Sequence, residues 1–85
     1  MRIDYHKDFL KDYKKLSLKI QENFKQRQLL FEKEEFNPVL NNHALKGRWY
    51  GYRSINVTGD IRAVFKRDKK SVIFVVIDSH SNLYG

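Results

Sequence analysis

Three histidines, a few acids and hydroxyls, and a surplus of cations are the residues of this sequence able to move protons or hold a phosphate. His6 opens the first helical segment beside Lys7 and reads as a junction residue. His43 follows an Asn41-Asn42 loop, and His80 follows the longest apolar run. Asp60 stands at a turn, next to Gly59. Imidazole, with an ordinary pKa of about 6.5, gives or takes a proton near neutrality, so His43, His80 and Asp60 form a candidate acid–base set. The hydroxyls offer less. Gly-x-Ser-x-Gly is missing, and Ser79 and Ser81 flank His80 too closely to complete a triad by themselves. No glycine-rich phosphate loop is present. The spacing of His43, Asp60 and His80 matches no standard zinc pattern and there is no cysteine, so neither a metal nor a cofactor is expected.

The cations cluster. Net charge is +7, and residues 43–85 hold eight bases against three acids. Lys46, Arg48, Arg53, Arg62, Lys66, Arg67, Lys69 and Lys70 fall in one stretch whose only acids are Asp60 and Asp68. Such a surface suits a polyanion, since Lys and Arg supply most of the affinity for a nucleic-acid backbone. Aromatic rings interleave with bases in Arg48-Trp49-Tyr50-Gly51-Tyr52-Arg53, a pattern able to stack nucleobases. Trp49 is read instead as closing the end of a small core, while Tyr52 is open to either role. Tyr84 lies on a segment with little core left to join, which favours a hydrogen bond or a stacking contact at an open site.

These residues need a frame. Met1 to Tyr5 reads as a short strand. Phe9, Tyr13 and Leu16 recur at helical spacing, and Ser17 can cap a second helix whose stripe is Ile20, Phe24, Phe31 and one of Gln28 or Leu30. Asn37-Pro38 is expected to stop it, because a residue before proline avoids the helical region. The period then changes. Strands are expected over 52–57, 61–67 and 71–77, joined by turns at Thr58-Gly59 and Asp68-Lys69-Lys70. The run Val72-Ile73-Phe74-Val75-Val76-Ile77 predicts a central strand buried on both faces. The expected fold is α+β: a short N-terminal strand, a helical hairpin, then an antiparallel three-strand meander with the helices on one sheet face and the other face open. Tyr52, Ser54 and Asn56 would share the open face, and Ile55 and Val57 the core face.

Length and composition fit one domain over residues 1–85. Apolar residues at 41% and charged residues at 32% suit a soluble globular chain. No apolar run is long enough to span a bilayer, so no membrane partner is expected. The polar N-terminus is unlike a signal peptide, and the lack of cysteine fits a reducing compartment, so the cytoplasm is the expected location.

The motifs His43-Ala44-Leu45-Lys46-Gly47, Gly51-Tyr52-Arg53, Val57-Thr58-Gly59-Asp60-Ile61-Arg62 and Asp78-Ser79-His80-Ser81-Asn82-Leu83-Tyr84-Gly85 together resemble the RelE/ParE toxin superfamily, nearest its YafQ branch. The resemblance implies the toxin of a bacterial type II toxin–antitoxin module. It implies a ribosome-dependent mRNA endonuclease in which the RNA 2′-hydroxyl attacks the adjacent phosphate without a metal. The implied partners are a cognate antitoxin protein, the ribosome and mRNA. Matched by motif, His43, Asp60, Arg62, His80 and Tyr84 are the implied catalytic residues. His80 would transfer protons with His43 and Asp60 as partners, Arg62 would offset phosphate charge, and Tyr84 would orient or stack a base. Lys46, Arg48, Tyr52, Arg53, Asn56 and Lys66 are assigned to RNA contact. YafQ-type toxins often carry histidine where this chain has Asn56, and tryptophan where it has Ile61. Two other functions fit the same fold: a ParE-like gyrase poison without nuclease activity, and a degenerate member that only binds its antitoxin.

Overall fold

The computed structural model of the chain describes residues 1–84; Gly85, which ends the last motif, lies outside the described residues. The elements run β1 (Arg2–Tyr5), α1 (Lys7–Lys14), α2 (Leu18–Lys33), a 3₁₀ turn at Pro38–Leu40, β2 (His43–Ala44), a second 3₁₀ turn at Gly47–Trp49, β3 (Arg53–Asn56), β4 (Ile61–Asp68), β5 (Ser71–Ser79) and α3 (His80–Tyr84). Both long helices start on side-chain caps. Nδ1 of His6 accepts from the Asp8 amide at 3.1 Å, which accounts for that histidine structurally, and Oγ of Ser17 accepts from Ile20 at 3.2 Å. Helix α2 ends at Lys33, short of the expected stop at Asn37-Pro38. Phe31 is its last buried residue, so Glu32 to Glu34 have no apolar face holding them in a further turn. Asn37 caps the following 3₁₀ turn instead, its Oδ1 accepting from the Val39 amide at 2.9 Å.

The α+β class and the helical hairpin on one sheet face stand as expected, but the sheet has five strands in the order β1-β5-β4-β3-β2. The antiparallel meander is its centre. β1 adds to β5 in parallel, and two-residue β2 pairs antiparallel with β3, placing His43 opposite Ser54. The apolar run therefore does lie between two neighbours.

Its burial on both faces has a specific cause. Phe65 pairs with Phe74 and Val64 with Val76, so Val75 has no partner, a β-bulge that reverses the alternation. Val72, Phe74 and Ile77 join Ile55, Val57, Ala63 and Phe65 under the helices. Phe74 is the hub of that core, with ring centroids of Tyr5, Phe9, Phe24, Phe31 and Phe65 between 5.3 and 6.1 Å away. Gln28 and Leu30 of α2 both contribute: Leu30 packs on the core, and the Gln28 side-chain oxygen accepts from the Tyr5 hydroxyl.

The far face is not open as expected. A second small core of Leu45, Val64 and Leu83 sits there, flanked by Trp49, Tyr52, Val75, Val76 and Tyr84. The 45–52 segment and α3 meet over β4 and cover that side. Ser54, expected on an open face, is wholly buried beneath them.

Two outcomes follow from this packing. Phe74→Ala, which hollows the hub, is expected to lose about 3–5 kcal/mol in urea denaturation, most of the stability of a domain this size. The second concerns alkali. Burial pushes the phenols of Tyr5 and Tyr13 above their ordinary range, with nearby Glu32 and Glu22 carboxylates adding in the same direction. The neutral phenol is thus the form the fold favours. Its contribution is full below a phenol's ordinary pKa of about 10 and is lost as pH climbs through the raised folded values. A melting-temperature series above pH 9 is expected to fall, and to fall less steeply in Tyr5→Phe.

Candidate active site

The residues of the implied site come from three elements that the second core brings together. His43 leads from the edge strand β2, Arg62 projects from β4, and His80 and Tyr84 lie on α3. They line one cleft of about 400 Å³ with Lys46 and the wall formed by Ala44 and Leu45. The bulge at Val75 is what aims β5 here: it puts Asp78, in register with Arg62, on the cleft side and hands the chain to α3. The His80 amide then donates to the Asp60 carbonyl at 2.8 Å, which ties α3 to the β3–β4 turn.

Each group is held differently. Nδ1 of His43 lies 2.7 Å from the Asn41 carbonyl. A carbonyl only accepts, so Nδ1 carries the proton, and a neutral His43 keeps its lone pair on Nε2. Asn41 achieves this from a left-handed backbone conformation, φ 46°; in the sequence it shows only as loop. The Arg62 guanidinium is stapled to its own hairpin. Nη1 donates to the carbonyls of Thr58 at 3.0 Å and Ile61 at 3.2 Å, and Nη2 to that of Gly59 at 3.1 Å. Of five N–H donors, the Nε hydrogen and one on Nη2 are left without a protein acceptor among the described residues. The His80 and Tyr84 rings meet edge to face, centroids 4.9 Å apart. Among the described residues the Tyr84 hydroxyl is buried without a hydrogen-bond partner, as is Oδ1 of Asn56.

The electrostatics are one-sided. Among the described residues the cleft lining contains Lys46, Arg62 and two imidazoles and no carboxylate. Asp78, in register with Arg62, accepts on Oδ1 from the Ser79 amide at 2.7 Å and the Asn82 side chain at 3.0 Å. Such a pocket suits an anion, above all a phosphate. Among the described residues no three His, Asp or Glu side chains group as metal ligands.

Not every expected site residue is gathered here. Asp60 is exposed and does not line the cleft; it reaches the site through its main chain, by the bond to His80. A turn position beside Gly59 explains this, since the turn needs the Asp60 backbone and not its carboxylate. Arg53 points to the opposite face, where Nε donates to Oδ1 of Asn42 at 2.8 Å and the guanidinium lies 5.7 Å from the Phe36 ring. Strand alternation dictates that, because Arg53 shares its face with Ile55. Tyr52 belongs to the second core, its ring against the edge of Trp49 at 5.5 Å with the Lys66 ammonium 5.7 Å away, so Tyr52 and Lys66 serve each other. Trp49 is a core residue, as read. Arg48 is exposed beside the cleft and spends one donor on the Leu83 carbonyl at 3.3 Å. Ile61 packs against the main core. Sequence reasoning missed Leu45 and Leu83, the two plugs that hold the cleft walls together, because neither sits in a periodic segment.

The whole chain, residues 1–85, matches the family described as the bacterial toxin of type II toxin-antitoxin system, YafQ. Its structure is similar to that of YafQ from E. coli strain BL21(DE3), with 27% identity, a TM-score of 0.81 and 100% of both chains covered. It is also similar to the crystal structure of the E. coli DinJ-YafQ complex, at 26% identity and a TM-score of 0.77, again over 100% of both chains. A YoeB/ParE toxin from Agrobacterium tumefaciens shares the fold at 18% identity, with a TM-score of 0.76 over 94% of this chain and 99% of that one. No curated protein matches. With its full length matched, the chain belongs to the YafQ family of bacterial type II toxins.

Proposed function

We propose that this toxin is an endoribonuclease that cuts mRNA on the ribosome and is neutralised by a cognate antitoxin. The observation that carries the reading is the cleft itself: two imidazoles, an arginine with free donors and a lysine converge, with no carboxylate among the described residues of the lining. A gyrase poison has no need of proton-transfer groups, and a member that only binds its antitoxin has no need of a preorganised anion site.

The proposed reaction is a transesterification. The 2′-oxygen forms a bond to the adjacent phosphorus while the bond from phosphorus to the next 5′-oxygen breaks, leaving a cyclic phosphate and a 5′-hydroxyl. A base must take the 2′-hydroxyl proton, and an acid must give one to the departing oxygen. The free Nε2 lone pair of a neutral His43 suits the first task, and His80, exposed in the same cleft, suits the second. The two unspent donors of Arg62 match two phosphate oxygens, and its bonds to the hairpin carbonyls fix it before substrate arrives. Lys46 adds a second cation. Tyr84 borders the same cleft and orients His80 by ring contact. Asp60 acts here as the tether of His80 and not as a proton carrier.

The ribosome supplies what a small cleft lacks, a message held extended in line with the reacting groups. An acidic antitoxin suits the +7 charge, and E. coli YafQ has been crystallised with DinJ. No helix is long and apolar enough to cross a membrane.

Induction in a bacterial host, with transcript ends mapped, tests this directly. Codon-phased cuts are expected for the native protein. In single-turnover cleavage on programmed ribosomes, His80→Ala is expected to slow the cut about 10²–10⁴-fold, and Arg62→Ala about 10²–10³-fold. Stalled replication with intact messages would sink the proposal in favour of gyrase poisoning, and unaffected growth in favour of antitoxin binding alone.

A further inference from the structure

Resting on the nuclease reading, the geometry points to a second RNA contact outside the cleft: the Lys46–Gly51 turn seats an unpaired nucleotide next to the one being cut, its base on Tyr50 and its phosphate at Arg48. The sequence alternates rings and cations here, and the structure separates their tasks. Trp49 is the anchor. Its Nε1 donates to the Leu83 carbonyl at 3.3 Å, and its ring packs on Tyr52 and the second core. Tyr50, the next residue, is 83% exposed and belongs to neither core. Its amide donates to the Gly47 carbonyl at 3.0 Å, so the main chain and not the ring is what the turn holds. Gly47 at φ 66° and Gly51 at φ 93° bracket the turn in conformations that favour glycine, fixing where Tyr50 projects.

The turn also continues the cleft. A second groove of about 460 Å³ is lined by Lys46, Arg48, Trp49, Asn82, Leu83 and Tyr84, and it shares Lys46 and Tyr84 with the first. Among the described residues it too has no carboxylate in its lining. A strand lying in the cleft therefore leaves along Lys46 towards Arg48, whose guanidinium spends a single donor on Leu83. A cation followed by an exposed ring matches a phosphate followed by its base. A protein partner is matched less well here, because no exposed aliphatic residue joins Tyr50 on this turn: Leu10, Leu18 and Leu29 belong to α1 and α2, Met1 precedes β1 and Val39 lies in the Pro38–Leu40 turn.

The test uses ribosomes programmed with a message that carries 2′-deoxyribose at the cut position, so that binding is read without cleavage. Tyr50→Ala is expected to weaken binding about tenfold while Tyr50→Phe stays near the native value. Arg48→Ala is expected to lower the slope of log K against log salt by about one. Melting temperatures should be unchanged in the Tyr50 variants, since so exposed a ring contributes little to the fold. Loss confined to programmed ribosomes makes the base one of the message, as proposed; equal loss on empty ribosomes makes it one of ribosomal RNA and overturns the placement beside the cut. Native-like binding by Tyr50→Ala and Arg48→Ala overturns the proposal, and leaves the nuclease reading, judged by transcript ends in His80→Ala, untouched. If ribosome binding holds and Tyr50→Ala instead escapes neutralisation by the co-expressed product of the adjacent gene, the turn is a protein surface and the proposal fails.

Discussion

One unpaired residue decides how the rest of this molecule is arranged. Simple alternation along β5 would place Val72, Phe74, Val76 and Asp78 on one face, and would bury the Asp78 carboxylate under the helices. The bulge at Val75 prevents this. Before it, Val72 and Phe74 fill the aromatic core; after it, Ile77 takes that face, and Val76 and Asp78 turn to the other. A buried carboxylate without a partner costs several kcal/mol, so the register with the bulge is favoured by a wide margin over the register without it. The same shift sets the direction in which the chain leaves the sheet at His80.

The second core follows from that shift, and the cleft follows from the second core. Val64 and Val76 present an apolar patch that Leu45 and Leu83 close from two distant parts of the chain. Burying Leu83 is worth about 1.5–3 kcal/mol, and the bonds from Arg48 and Trp49 to its carbonyl add about 0.5–1.5 kcal/mol each. These modest terms are what keep His43 and His80 on one cleft. Positioning of the site is therefore tied to a part of the fold far weaker than the aromatic core around Phe74.

Much of this was legible in the sequence, and the failures share a cause. The two helices, their Ser17 boundary and the meander show because period and capping are local properties, and His43, Arg62 and His80 stand out by type. What was hidden depends on partners remote in sequence. β2 is two residues long and exists only because β3 lies beside it. The parallel pairing of β1 with β5 joins opposite ends of the chain and leaves no periodic trace. The early end of α2 reflects where the core stops, not where proline begins. Asp60 and Arg53 were placed by residue type, whereas turn geometry and strand alternation decide where their side chains go.

Arg62 shows how a chain this small holds a charge ready. A free arginine loses side-chain entropy of about 2 kcal/mol when it is fixed, and in a transition state that loss would subtract from its attraction to phosphate. Here the loss is taken on folding. Thr58 closes the turn with its hydroxyl, accepting from the Asp60 and Ile61 amides at 3.2 and 3.0 Å. That geometry leaves the carbonyls of Thr58, Gly59 and Ile61 turned towards a single point, which the guanidinium occupies. Those carbonyl dipoles hold the cation in place without neutralising it, as a carboxylate would. The turn that excludes the Asp60 side chain from the cleft is thus the same feature that keeps the Arg62 charge available to an anion.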